Sequence, residues 1–203
     1  MDTLTIIEIA ATIFGFASVY LTVKENIWCW PTGLIMVSLY IIIFYHARLY
    51  SDMGLQVVYI FMQFYGWYFW MYGRNRKKDN KKKVKIVRLK PIEIAMWGII
   101  AIIGTYALGY IMNTYTNADY AFADAFTTTL SLIAQWFLSR KILESWVLWI
   151  TVDVVSITLY GLKGLYFTTG LYTAFLVLAT MGLIQWYKTH KARDAHKIAP
   201  QAV

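Results

Sequence analysis

The sequence predicts an all-α integral membrane protein with seven transmembrane helices. Three observations predict it. Of the 203 residues, 59% are apolar and only 15% are charged, against roughly a quarter charged in an ordinary soluble domain. Apolar stretches close to the roughly 20 residues a helix needs to cross hydrocarbon recur along almost the whole chain. The cations are also segregated: ten of the nineteen Lys and Arg lie between Arg74 and Lys90, whereas VVSITLY at 154–160 has none.

The spans fall at about 4–23, 28–45, 53–72, 92–112, 121–139, 145–162 and 167–187. The first starts almost at Met1 without a basic n-region, so it reads as a retained helix rather than a cleavable signal. The second opens with NIWCWPTGLIM, residues 26–36. Pro31 sits in its first turn, where a missing N–H is harmless, and Asn26 is placed to cap it. The third contains YIFMQFYGWYFW, residues 59–70, with Gln63 in highly aromatic text. The fourth follows the basic run and the fifth carries Asp124, Thr128, Ser131 and Gln135. The sixth holds Asp153, and the seventh leads into a basic tail. Helices satisfy their own backbone polar groups in lipid. A barrel would need alternating strands, and III at 41–43 or GIIAII at 98–103 does not alternate.

Lys24, the ten cations of 74–90, Arg140, Lys141, Lys188, Lys191, Arg193 and Lys197 fall on one side of a seven-span chain, with Arg48 and Lys163 on the other. Positive-inside bias then puts the N terminus outside and the C terminus in the cytoplasm.

The two halves resemble each other around the basic linker. Aligning YSDMGL (50–55) with YFTTGL (166–171) brings Gly66 onto Gly182 and Trp70 onto Trp186. A shift of one or two residues relates WCWP (28–31) to WVLW (146–149) and Ser38 to Ser156. This predicts a 3+1+3 arrangement of parallel three-helix repeats: a first repeat at 1–73, a basic cytoplasmic loop at 74–90, a connector helix at 91–118, a second repeat at 119–188 and a cytoplasmic tail at 189–203. Internal repeats commonly build a central transport site.

Polar and aromatic residues recur at helical spacing on four spans: Glu8, Thr12, Gly15 and Thr22; Gln56, Tyr59, Gln63, Gly66 or Trp67, and Trp70; Asp124, Thr128, Ser131 and Gln135; Trp149, Asp153, Ser156 and Tyr160. For Ser38, Thr128, Ser131 and Ser156 the simpler role is close helix packing. Gln63 and Gln135 each carry two donors and two acceptor lone pairs, which suits a neutral ligand with hydroxyl and carboxamide groups. Asp153 is the one acid deep in the later spans, where a carboxylate must pair, protonate or face water. Trp28, Trp70, Trp146 and Trp186 lie near span ends and read as interfacial anchors, whereas Trp30, Tyr59, Trp67 and Trp149 are placed to reach inward. A cationic heteroaromatic ring would stack well on such groups.

No Walker motif is present, so ATP is not the direct energy source. No nucleophile, base or paired-carboxylate spacing suggests an enzyme. A single cysteine, Cys29, and three His offer neither a disulfide framework nor a metal cluster, and no cofactor is expected. The basic run lies between apolar segments and reads as an orientation signal rather than a nucleic-acid site. A carrier or facilitator leads; a seven-helix receptor or scaffold is the alternative.

NIWCWPTGLI at 26–35, QFYGWY at 63–68, WVLWITVDVVSITLYGLKGLY at 146–166 and YTAFLVLATMGLIQW at 172–186 resemble the PnuC family of bacterial vitamin B3 transporters, over about residues 5–187. The resemblance implies facilitated diffusion of nicotinamide riboside across the inner membrane, with trapping by cytoplasmic phosphorylation. It also implies a fold similar to the SWEET sugar transporters and a homotrimer. It places substrate binding near the midplane between the repeats, on Asn26, Trp30, Tyr59, Gln63, Trp67, Gln135, Trp149 and Asp153. Another vitamin such as thiamine is the second candidate substrate, and Asp153 leaves proton coupling open.

Overall fold

In the computed structural model of the protein, residues 3–46, 50–73, 84–115, 120–162, 164 and 166–198 are described. They form seven helices: α1 (Thr3–Val23), α2 (Cys29–His46), α3 (Tyr50–Tyr72), α4 (Pro91–Tyr115), α5 (Ala121–Ser139), α6 (Glu144–Leu162) and α7 (Tyr166–Ile198). Each falls on one expected span, giving an all-α, multi-spanning membrane fold. By length and composition, α1, α2, α4, α6 and the Thr168–Arg193 part of α7 are each able to cross a membrane. The other two are diluted by the residues singled out in the sequence: Gln56, Gln63 and several Tyr in α3, and Asp124, three successive Thr and Gln135 in α5.

The chain divides into two compact units, Met1–Lys85 and Ile86–Val203. In the first, α2 packs against both α1 and α3. In the second, α5 packs against α4 and α6, and α6 packs against α5 and α7. Helix α5 is therefore buried over most of its last two turns, from Ile133 to Ser139, while α4 leaves Ile92, Ile102, Ile103 and Tyr106 more than 60% exposed. Such a surface suits lipid and not water.

The turn from α1 to α2 is a Schellman motif. Glu25 takes the left-handed conformation with φ 52°, its N–H donates to Thr22 O at 2.9 Å, and the N–H of Asn26 donates to Leu21 O at 2.9 Å. The turn from α5 to α6 repeats it 116 residues later. Lys141 has φ 56°, its N–H donates to Leu138 O at 3.0 Å, and that of Ile142 donates to Phe137 O at 2.9 Å. The following bonds also match: Cys29 N to Asn26 O (3.1 Å) with Ser145 N to Ile142 O (3.2 Å), then Trp30 N to Ile27 O (3.3 Å) with Trp146 N to Leu143 O (3.2 Å). Trp30 thus corresponds to Trp146 without any shift, correcting the alignment that set Trp28 there.

The seventh helix runs past the span end expected near 187: α7 covers 33 residues and continues to Ile198, into the segment expected as a tail. That is about 50 Å at 1.5 Å per residue, longer than a hydrocarbon core of about 30 Å. Lys, Arg and Ala in KTHKARDAHKI are good helix formers, and late cations complement the helix dipole. Of the basic loop 74–90, residues 74–83 lie outside the described residues, and the remainder is an extended segment. Val87 N donates to Lys141 O (3.0 Å) and Leu143 N to Val87 O (2.9 Å), a parallel bridge onto the α5–α6 turn. Val84 and Ile86 are buried. Glu144 fixes the segment further by accepting from Arg88 Nε and from Leu89 N–H, both at 3.2 Å.

Candidate functional site

In the first unit the α2–α3 contact is made by two glycines, each facing a large side chain from the other helix. Gly66 of α3 receives the six-membered ring of Trp30, and a methyl group added there would overlap that ring. Trp30 is 2% exposed and meets Trp70 edge-on, with centroids 5.3 Å apart at 86°. Gly33 of α2 receives the amide of Gln63; an added methyl group would stand 2.9 Å from its Cδ and 3.0 Å from its Oε1. Gln63 is buried at 7% exposure. Close backbone approach through glycine thus holds an aromatic ring and an amide in adjacent turns of one interface.

The second unit repeats the first contact and changes the second. Gly182 of α7 receives Trp146 of α6, and Trp146 meets Trp186 edge-on at 5.4 Å and 89°. At the same offset of 116, however, Gly33 becomes Trp149 and Gln63 becomes Ala179. The small residue and the large one have changed helices. One unit carries a buried amide and the other an indole at corresponding positions, so the two do not offer a ligand the same chemistry.

On α6, Trp146, Trp149, Asp153 and Ser156 follow helical spacing along one stripe. Asp153 and Ser156 are buried, and Trp149 is half-buried. Gln135 is buried on α5, which packs against α6. Gln63, Gln135 and Asp153 make no side-chain hydrogen bond or ion pair among the described residues. Buried amide and carboxyl groups need partners, so these three retain hydrogen-bonding capacity for a ligand or water. Tyr59 and Trp67 are half-buried on α3, in the same unit as Gln63. Asn26 lies elsewhere: it is exposed in the α1–α2 turn, and its Oδ1 accepts from Trp28 N–H at 3.0 Å. Its side chain forms an Asx-type turn ahead of α2.

Sequence reading assigned Trp70, Trp146 and Trp186 to interfacial belts. The structure corrects this: they are 5%, 2% and 0% exposed, because each belongs to a paired-indole cluster seated on a glycine. Only Trp28, at 64% exposure, fits the anchor reading. The indole N–H groups of Trp30 and Trp146 are buried without an acceptor, a desolvation cost of about 1–3 kcal/mol each. Gly33 was also missed. Its one local sign was its place two residues after Pro31, in the first turns of α2. Among the described residues no group of His, Cys, Asp and Glu is arranged to hold a metal.

Lys24, Arg140 and Lys141 occupy the turns, and Lys188 and Lys191 the far end of α7.

The chain is similar to known proteins over most of its length. The nicotinamide riboside transporter PnuC of Escherichia coli K12 is 26% identical, over 95% of this chain and 90% of that one. The riboflavin/roseoflavin transporter RibM of Streptomyces davaonensis is 24% identical, over 94% and 88%. A crystal structure of the vitamin B3 transporter PnuC superposes with a TM-score of 0.71 at 25% identity, covering 90% of this chain and 81% of that one. The model of the nicotinamide mononucleotide transporter family matches residues 5–188, and the chain belongs to that family.

Proposed function

We propose that this protein carries nicotinamide riboside across a bacterial inner membrane by facilitated diffusion, with phosphorylation in the cytoplasm drawing the flux inward. The observation that carries the reading is that each unit buries uncharged or acidic polar side chains within its apolar helices: Gln63 in the first, Gln135 and Asp153 in the second. A neutral amide can meet the carboxamide of the ligand, a carboxyl its ribose hydroxyls, and an indole such as Trp149 or Trp30 its cationic ring. Tyr59 and Trp67 complete the aromatic set. Asn26, turned to its own backbone, is the weakest member.

A riboside fits better than a mononucleotide. A phosphate carries close to two negative charges at neutral pH, and the groups near Asp153 include no Lys or Arg to neutralise them. The matching Schellman turns and Trp–Gly–Trp clusters support the 3+1+3 reading, with α1–α3 and α5–α7 as parallel repeats in a SWEET-like plan and α4 as connector. The cation distribution supports an outside N terminus and a cytoplasmic C terminus. A homotrimer fits the broad apolar exposure of α4. The kinship to a riboflavin transporter favours one second reading, a larger aromatic ribityl vitamin on the same groups.

Uptake of labelled nicotinamide riboside into liposomes containing the purified protein, without ATP or an ion gradient, tests the proposal. Expected is saturable equilibration, blocked by excess riboside, indifferent to nicotinamide mononucleotide and weakened about tenfold by Gln63→Ala. Uptake no faster than in empty liposomes, with folded protein, would overturn it. Selective uptake of riboflavin would establish the second reading.

A further inference from the structure

Within the second unit, a cleft of about 770 Å³ opens where α6 begins and α7 leaves the apolar region. Aliphatic Val147, Leu183 and Ile184 and cationic Arg88, Lys188 and Lys191 share its lining. Ile184, Lys188 and Lys191 lie at i, i+4 and i+7 on one face of α7, so the face passes from aliphatic to cationic over about 10 Å. Val147, Ile184 and Tyr187 are about half exposed, at 47%, 50% and 50%. The sole acid in the lining, Glu144, already accepts from Arg88 and from the Leu89 N–H. The rim therefore holds excess positive charge over an open apolar floor.

From this grading we propose that the cleft binds an anionic phospholipid of the cytoplasmic leaflet. Lys188, Lys191 and the outer face of Arg88 hold the phosphate, and the upper acyl chain lies against Val147, Leu183 and Ile184. Basic clefts at helix ends on the cation-rich side are suited to anionic headgroups, and this volume lies in the range of small-molecule sites. Charge selects the occupant. The stretch RNRKKDNKKK at 74–83 is itself strongly basic and would be repelled from the rim. A zwitterionic lipid gains little from excess cations. The inference rests on the assignment of the cation-rich side to the cytoplasm, not on the identity of the transported vitamin.

Native mass spectrometry of the delipidated full-length protein, titrated with phosphatidylglycerol or phosphatidylcholine of matched chains, tests it. Phosphatidylglycerol should bind at least about fivefold more tightly. That preference should vanish in a Lys188→Ala/Lys191→Ala variant, return in Lys188→Arg/Lys191→Arg, and persist in Lys24→Ala, which removes a cation of the same side from the other unit. All these positions are exposed, so folding is not at stake, and an unchanged thermal transition checks it. Equal binding of the two lipids, or an alanine variant that keeps the preference, would overturn the proposal. So would displacement of the lipid by millimolar glycerol 3-phosphate, which would mean a free-phosphate site. A change of oligomeric state in the alanine variant with unchanged lipid binding would assign the cleft to a second copy of the chain and would also overturn it.

Discussion

Replacing Gly182 with alanine puts a methyl group against the face of a buried indole. The added carbon would stand 2.6 Å from Cε2, Cε3 and Cη2 of Trp146, where carbon atoms prefer about 3.5–4.0 Å. The ring must retreat by about 1 Å, yet it is 2% exposed and held edge-on by Trp186, which is 0% exposed. Overpacking of this kind costs about 1–3 kcal/mol, while alanine itself favours a helix over glycine by about 1 kcal/mol. Gly170, on the same helix, has nothing within 4 Å of its would-be methyl group, so Gly170→Ala isolates the propensity gain. The difference between the two variants should be about 1–3 kcal/mol, which at about 2–4 °C per kcal/mol for a chain of this size separates their thermal midpoints by several degrees. A scanning thermal unfolding assay in detergent measures it. Trimming the ring in Gly182→Ala/Trp146→Phe should recover part of the loss relative to additivity. Equal midpoints for the two glycine variants, or a strictly additive cycle, would refute the packing argument.

The same geometry predicts that Gly33→Ala displaces the Gln63 amide, so riboside uptake should fall at low substrate while Gly54→Ala, whose methyl group meets nothing within 4 Å, leaves it unchanged; initial rates decide. Asp153→Asn should lower uptake efficiency by about one to two orders of magnitude, as about 1–3 kcal/mol of hydrogen bonding is lost, and unaltered transport would remove Asp153 from the site. Glu144→Gln weakens the hold on residues 88 and 89; because Arg88 is 57% exposed, the expected loss is at most about 1 kcal/mol, read as faster hydrogen exchange at Leu89 with little change in the global midpoint.

The sequence made the seven helices legible because lipid demands long, self-bonded apolar segments, and their boundaries moved by only a few residues except at the end of α7, which runs on to Ile198. It also made Gln63, Gln135 and Asp153 legible, as polar groups are conspicuous in such text. What it hid depends on pairs of helices. Trp70, Trp146 and Trp186 look like belt residues by position, and their burial follows from the neighbouring helix: Trp146 of α6 seats on Gly182 of α7 against Trp186, and Trp30 of α2 seats on Gly66 of α3 against Trp70. The clip of residues 87–89 onto the α5–α6 turn joins positions 54 to 56 apart. Its one local sign was the alternation of Val84, Lys85 and Ile86 inside a run that charge alone marks as loop. Asn26 was read as a cap or a ligand group; its Oδ1 accepts from Trp28 N–H, a bond of the capping kind, which leaves the ligand role the weaker of the two.

The two Schellman turns have a bearing on how the chain tolerates length changes. Surface connections usually accept insertions. These do not, because each turn acts as a ruler: a single extra residue after Glu25 or Lys141 rotates the next helix by about 100°. Trp30 would swing away from Gly66, or Trp146 from Gly182, leaving an indole without its seat and a glycine groove open to lipid. Across the ten residues of each corner only the tryptophan is identical, Trp30 and Trp146. The same hydrogen bonds are made by two sequences with almost nothing in common, so this turn is compatible with many substitutions but not with an insertion or a deletion.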